Sequence, residues 1–366
     1  VNSTPPILLS GYYGFNNLGD EAILSAMVGS LRQEMPDCRL VALSANPPAT
    51  RAAHGIDAVP RMDFKAIWRA LRQSDLLLSG GGSLFQDATS ARSLLYYLGV
   101  VWLALRAKKP VMIYAQGIGP LRRRSSRALT RLVLNRVNLI TLRDEESAQE
   151  LAQLGVTRPR TVVTADPTFT LQPAASERAD EILRSAGVSS SPCLGVALRP
   201  WRDWFATEEN VERVARTLES MGQLVNESMA LLPLQFPHDA ELAQRIARRM
   251  TGDVTIINES LRPDEMLAVI GKMDMLVAMR LHALIFAAAM KVPMVGIVYD
   301  PKVERFLRQV GGAACEGLNE AMLIQTVERV CQQREEMRSK LSKTVSALRD
   351  KAQENARLAA ALTLND

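Results

Sequence analysis

Residues 7–21 read Ile7-Leu8-Leu9-Ser10-Gly11-Tyr12-Tyr13-Gly14-Phe15-Asn16-Asn17-Leu18-Gly19-Asp20-Glu21. A short apolar run passes into a glycine-rich turn, then into two acids of the kind that favour a helix N-terminus. Strand, glycine turn and helix in that order open a βαβ unit. The turn is not G-x-G-x-x-G, and no Gly-Lys-Ser/Thr follows, so dinucleotide and P-loop readings are poor. Gly14, Asn16, Asn17 and Asp20 are the ligand-binding candidates of this loop, although a tight turn with Asp20 capping the helix accounts for it equally well.

The same rhythm continues outward from this stretch. Further strands are predicted at Leu40–Leu43, Leu76–Ser79, Val111–Ala115, Leu139–Leu142 and Thr161–Thr164, with helical patterns between them at Asp20–Met35, Ala91–Arg106 and Ser125–Val137. Pro167–Ala179, rich in Pro, Ala and Ser, breaks the pattern and reads as a linker. Strands resume at Cys193–Leu198, Met229–Leu232, Val254–Ile257, Met275–Ala278 and Met294–Val298, and Leu318–Leu364 is a long, charged, helical tail. The fold class is therefore α/β, as two doubly wound domains facing a cleft: 1–170, a linker at 171–179, and 180–366. Such sheets bind ligands at the carboxyl ends of their strands.

Two more glycine loops follow strands: Ser79-Gly80-Gly81-Gly82-Ser83-Leu84-Phe85-Gln86-Asp87 and Tyr114-Ala115-Gln116-Gly117-Ile118-Gly119-Pro120. Three consecutive glycines are entropically costly, which makes sense where bare N–H groups face an anion or a sugar. Gly80, Gly81, Gly82, Ser83, Asp87, Gln116 and Gly117 join the binding candidates. Cations stand at other strand ends. Arg143 follows Leu139–Leu142, Arg280-Leu281-His282 opens the apolar helix Ala283–Met290, and Lys302 follows Met294–Val298. A cation at a buried helix N-terminus opposes the helix dipole and is expected to need a bound anion, unless a buried carboxylate pairs with it. Arg, Lys and His gathered this way suit a small, multiply charged anion holding carboxylate and phosphate groups.

Composition sets the remaining bounds. With 366 residues and 47% hydrophobic residues, the chain can bury two ordinary cores. Cys38, Cys193, Cys315 and Cys331 are scattered, in no metal-ligand spacing, and read as free thiols in a reducing compartment. No metal site is indicated. The longest apolar run, Ser93–Leu105, is too short to span a bilayer, and VNSTPPILLS lacks the marks of a leader, so a cytoplasmic location is expected. The net charge of +5 and pI of about 9.1 favour anionic substrates or an anionic membrane surface over nucleic acid, because no aromatic residues interleave with the basic ones. Arg122-Arg123-Arg124, Arg127, Arg131 and Arg136 form a basic stretch that reads either as a solvated helix face or as a transient contact with the inner membrane surface.

GYYGFNNLGDEAIL, SGGGSLFQD, YAQGIGP, TLRDEES, ADP at Ala165–Pro167 and MRLHALIFAA, in that order, resemble the polysaccharide pyruvyltransferase family, nearest to the CsaB type that pyruvylates cell-wall polysaccharide. The resemblance implies a GT-B-like pair of Rossmann-like domains. It also implies phosphoenolpyruvate as co-substrate with no cofactor, and a cyclic pyruvate ketal as product. It carries a phosphoenolpyruvate-binding arginine onto Arg143, the Arg-Leu-His triplet onto Arg280, Leu281 and His282, and a later lysine onto Lys302. For the acceptor it implies a lipid-linked or polymeric saccharide, N-acetylmannosamine-containing in the CsaB type. His282 is the expected acid, and Asp20 or Asp87 could serve as base or simply cap helices. The alternatives are a nucleotide-sugar glycosyltransferase on the same fold and a non-catalytic anion- or nucleic-acid-binding protein.

Overall fold

A computed structural model describes residues 6–88, 90–188, 193–225 and 228–363, the side chains of Arg202 and Asp203 excepted. Residues 1–5, on which the expectation of no leader partly rests, lie outside the described residues. The chain forms two compact units.

The first unit is built on seven strands: β1 (Ile7–Tyr13), β2 (Leu40–Ser44), β3 (Asp57–Pro60), β4 (Leu76–Gly80), β5 (Val111–Gln116), β6 (Leu139–Leu142) and β7 (Arg160–Val163). All are parallel, in the order β3-β2-β1-β4-β5-β6-β7. Side chains alternate across a strand, so the sheet buries two faces. Leu8 of β1 packs with Ile67, Leu98 and Val133 from helices Phe64–Gln73, Ala91–Arg106 and Arg124–Leu134. Its neighbours Ile7 and Leu9 pack on the other face with Ile23, Leu24 and Met27 of helix Leu18–Glu34. That double cover is why the strands read as continuous apolar runs rather than as alternating ones.

The second unit repeats the scheme with β8 (Cys193–Ala197), β9 (Ser228–Leu231), β10 (Val254–Ile256), β11 (Met275–Ala278), β12 (Met294–Val298) and β13 (Ala313–Glu316). This sheet is parallel in the order β10-β9-β8-β11-β12-β13. In both sheets the winding reverses at one place, between β1 and β4 and between β8 and β11. The fold is thus α/β, two Rossmann-like domains in sequence, the pattern of GT-B proteins.

One segment departs from the expected division. The first unit comprises residues up to Asn16, then Asp20–Leu171, then 348–363 among the described residues. Asn17–Gly19 and Gln172–Ala347 form the second. Helix Arg334–Thr363 therefore begins in the second unit and ends in the first, so the expectation that the tail through 366 belongs wholly to the second domain is corrected. The cause is a stripe of small residues at helical spacing: Ala352, Ala356 and Ala359 are buried, and Asn355 is fully buried beside them. Asn355 Oδ1 accepts from Thr164 Oγ1 at 2.8 Å, and its Nδ2 donates to the Ala165 carbonyl at 3.2 Å.

Candidate active site

The carboxyl ends of β1, β4, β5 and β6 stand side by side in the first sheet, so the three glycine loops and Arg143 share one edge as the sequence predicts. At the second loop Gly81 has φ +79°, and a Cβ there would lie 2.0 Å from Ile23 Cγ2. Part of the glycine requirement is thus close packing against helix Leu18–Glu34. A Cβ on Gly117 would lie 2.8 Å from Ser83 Oγ and 2.9 Å from Arg143 Nη2, so this glycine makes room for the arginine. Arg143, 7% exposed, donates to Ser83 Oγ at 3.0 Å. It also lies 3.4 Å from Asp166 Oδ2 and 3.6 Å from Asp144 Oδ2, both longer than the roughly 2.7–2.9 Å of a tight charge-assisted bond. Asp166 spends its other oxygen on Thr168, and Asp144 caps helix Glu145–Gln153 through Ser147. Among the described residues, the backbone N–H groups of Gly82 and Ser83 find no protein acceptor.

Several predicted binding residues of this unit are committed to the fold instead. Gly14 N donates to Glu21 Oε1 at 2.8 Å, and a Cβ on Gly14 would meet Ser44 Oγ at 2.3 Å, so its backbone is packed rather than open to a ligand. Gln116 is fully buried, with Nε2 donating to Gly81 O at 2.8 Å and Oε1 accepting from Leu84 N at 3.0 Å; it shapes the glycine loop. Asp87 accepts from the N–H groups of Arg122 at 2.7 Å and Arg123 at 2.9 Å, which anchors the lead-in to helix Arg124–Leu134. Burial pushes its carboxyl up, but these bonds, the Ser126 hydroxyl and the Arg123 charge outweigh that and hold it below the usual aspartate value. Asp20 is half-buried, and its Oδ1 lies 3.4 Å from where a Cβ on Gly82 would stand. Asn16 holds φ +54° and is exposed.

In the second unit, Arg280 and Lys302 follow β11 and β12, which are neighbours. The expectation that only a bound anion would compensate Arg280 is corrected, because Asp239 does so. Arg280 Nε donates to Asp239 Oδ2 at 2.8 Å, Nη2 donates to Asp239 Oδ1, and Nη2 also reaches Gln235 Oε1 at 3.0 Å. Asp239, 2% exposed, further accepts from Leu234 N and Gln235 N, so the pair fixes the loop after β9 to the start of helix Leu281–Ala289. Leu281 is buried in the first turn of that helix. His282 follows it, half-buried, against Gly19: a Cβ on Gly19 would lie 2.1 Å from His282 Nδ1. Asn17 lies in the same unit, bridged to Gln235, with Oδ1 accepting from Gly19 N at 3.2 Å. Lys302 is a third exposed, and its Nζ sits 3.5 Å from Asp300 Oδ2.

Two further cations were not singled out from the sequence. Arg199, just past β8, donates to Tyr299 Oη at 3.2 Å and lies over the Trp201 and Tyr299 rings, with no carboxylate partner among the described residues. Arg61, just past β3, lies over three aromatic rings. Leu198-Arg199-Pro200-Trp201 at the end of a predicted strand was a usable signal; nothing local marked Arg61.

Residues 17–301 match the polysaccharide pyruvyl transferase family. The chain belongs to it. The match to the pyruvyl transferase family takes in the second and third glycine loops, Arg143 and the Arg280-Leu281-His282 triplet, and ends one residue before Lys302. A similar protein is the amylovoran biosynthesis protein AmsJ of Erwinia amylovora, 21% identical, with the alignment covering 93% of this chain and 95% of that one. Among solved structures, the Anabaena protein Alr3699/HepE in complex with UDP-glucose superposes with a TM-score of 0.65 at 14% identity, covering 98% of this chain and 99% of that one. The UDP-GlcNAc 2-epimerase of Neisseria meningitidis bound to UDP-GlcNAc gives 0.65 at 10% identity, covering 98% and 100%. At those identities the likeness is one of fold.

Proposed function

We propose that this enzyme takes the enolpyruvyl group of phosphoenolpyruvate and closes it as a cyclic ketal on two hydroxyls of one sugar in a cell-surface polysaccharide precursor, releasing phosphate. Arg143 carries the reading. It is a buried guanidinium at a strand's carboxyl end, hydrogen-bonded to one hydroxyl and only loosely attended by carboxylates, beside two backbone N–H groups without a protein acceptor among the described residues. A forked donor next to free amides suits a molecule bearing both carboxylate and phosphate.

In the proposed reaction, His282 gives a proton to C3 of the enol, so that C2 gains oxocarbenium character. A sugar hydroxyl adds to C2 and loses its proton to a base. The second hydroxyl then displaces phosphate from C2, and its own proton leaves with the departing group or the base. Arg143 and Lys302 stabilise charge on carboxylate and phosphate. Arg280 acts through its pair with Asp239, which fixes the backbone at the helix start carrying His282. Asp20 is the proposed base. The acceptor of this reading is lipid-linked and contains N-acetylmannosamine, and the enzyme meets it at the cytoplasmic membrane face. Among the described residues no helix is long and apolar enough to cross a membrane, so a surface contact falls to features such as the exposed Arg122, Arg123, Arg124, Arg131 and Arg136 with the half-exposed Leu132 and Trp102 nearby.

The deciding experiment is incubation with phosphoenolpyruvate and N-acetylmannosaminyl-diphosphoryl lipid or its synthetic analogue, with UDP-sugars as the control donor. Phosphate release together with a ketal-bearing product by mass supports the reading. Turnover with a UDP-sugar and none with phosphoenolpyruvate overturns it.

A further inference from the structure

The strongest unexplained feature of the first unit is an arginine boxed in by aromatic rings. The Arg61 guanidinium lies 4.1 Å from the Tyr96 ring centroid, 4.9 Å from that of Phe15 and 5.5 Å from that of Tyr97. Tyr12 is stacked on Phe15, with centroids 4.0 Å apart and planes within 9°. The guanidinium stands near the Tyr96 and Tyr97 hydroxyls as well as over their rings, but without hydrogen-bond geometry, so Arg61 Nη1, Tyr96 Oη and Tyr97 Oη are each buried with no well-formed hydrogen bond. Among the described residues no carboxylate forms an ion pair with Arg61. The field of Asp20 reaches Tyr12 and Tyr97.

Buried polar groups in folded proteins are nearly always satisfied, and each one left alone is costly. Three at one point, one of them charged, indicate a partner that the protein itself does not supply. Their place fits a ligand. Tyr12 is the last residue but one of β1, Phe15 follows that strand, and Arg61 follows β3, so the cluster sits on the sheet edge that holds the glycine loops. Tyr12, Phe15, Arg61 and Tyr96 are half-buried and open to approach from solvent. Burial outweighs the opposing pull of Arg61 and holds the Tyr96 and Tyr97 hydroxyls above their usual range, so both remain protonated donors.

We propose that Arg61, Tyr96, Tyr97, Tyr12 and Phe15 form a binding site for an acidic sugar unit, its apolar ring face on the aromatic platform and its carboxylate or phosphate on the guanidinium. A pyranose offers such a face together with hydroxyls for the two phenols, while an anionic group answers the unpaired charge and its planar fork. The site would hold the acceptor saccharide, and in that respect it rests on the reading that the enzyme acts on a polysaccharide precursor. Its test does not require turnover.

The test measures binding of glucose, glucuronate and glucose 6-phosphate to the full chain by calorimetry or saturation-transfer NMR. The proposal expects one or both acidic sugars to bind at least about tenfold more tightly than glucose, as removal of a charge-assisted contact implies. Glucuronate alone identifies a uronic acid, and glucose 6-phosphate alone a phosphorylated sugar. Arg61→Met abolishes the preference, and Tyr97→Phe weakens all binding alike. Should Arg61→Met fail to fold, Arg61→Lys, which keeps the charge but not the fork, is expected to reduce the preference. Equal affinity for the three sugars, an undiminished preference in the Arg61 variant, or competitive displacement of glucuronate by phosphoenolpyruvate overturns the assignment. Binding that survives in a protein unable to turn over phosphoenolpyruvate strikes at the proposed donor and leaves this site standing.

Discussion

Asp239 and Arg280 form a two-point pair at the start of helix Leu281–Ala289, with Arg280 Nε 2.8 Å from Asp239 Oδ2 and the Asp239 side chain fully buried. Removing one partner of a buried pair strands the other charge and costs about 3–5 kcal/mol. Asp239→Ala and Arg280→Met are each expected to lower stability by that order in urea denaturation. The double variant should recover part of the loss. An Arg280 whose main task was to receive an anion would instead leave stability unchanged and raise KM for the donor.

Gly19 and His282 test the proposed acid. A Cβ on Gly19 would come within 2.1 Å of His282 Nδ1, so Gly19→Ala must displace the imidazole. Its turnover is expected to fall about 100-fold, approaching the loss in His282→Ala, as removal of a general acid implies. Thermal denaturation should show both variants folded. Near-wild-type turnover in His282→Ala would remove it from the mechanism.

Asp87 predicts a pH dependence. Its carboxyl is held below the usual aspartate value in the folded chain. A depressed carboxyl contributes stability that is fully present above the unfolded value and lost as pH falls through the folded one. Asp87→Asn, which keeps one acceptor oxygen but loses the charge, should therefore destabilise at about pH 7 by about 1 kcal/mol, with the difference from wild type shrinking toward about pH 3. A gap that does not narrow in acid would show that the lost acceptor, not the charge, carries the effect.

Asn355 tethers the final helix to the first unit through Thr164 and Ala165. Asn355→Ala takes the amide donor from the Ala165 carbonyl, while Thr164 Oγ1 can still donate to the Leu142 carbonyl, and is expected to cost about 1 kcal/mol. Hydrogen exchange should report the change first in 348–363 and in β7, rather than in the second sheet.

The basic stretch predicts membrane contact. Replacing Arg122, Arg123, Arg124, Arg131 and Arg136 with Gln should reduce sedimentation with phosphatidylserine vesicles at least tenfold, since each cation near an anionic surface contributes about 1 kcal/mol. Neutral vesicles should bind wild type and variant equally weakly.

Both sheets could be read from the sequence because their central strands are buried on two faces and stand out as apolar runs. Leu139–Leu142, Met275–Ala278 and Met294–Val298 begin and end as predicted. The two strands not anticipated, Asp57–Pro60 and Ala313–Glu316, lie at sheet edges, where half their side chains face outward and the apolar signal fades. The edge occupied by the glycine loops was legible too, because all strands of a parallel sheet end on the same edge. Partners were not. The carboxylate that meets Arg280 lies 41 residues away at Asp239, and the rings around Arg61 come from two distant segments. Sequence spacing carries charge and pattern, whereas neutralisation is settled only by which loops the fold lays together.

The helix shared between the units sets a timetable for biosynthesis. The apolar face that Ala356 and Ala359 cover belongs to the sheet whose strands leave the ribosome first. That sheet waits, one face partly bare, while more than 170 further residues are made. A fragment ending near Leu171 would keep that exposed surface for good, so separate expression of the first half calls for a graft of 348–363 onto it rather than a simple stop codon.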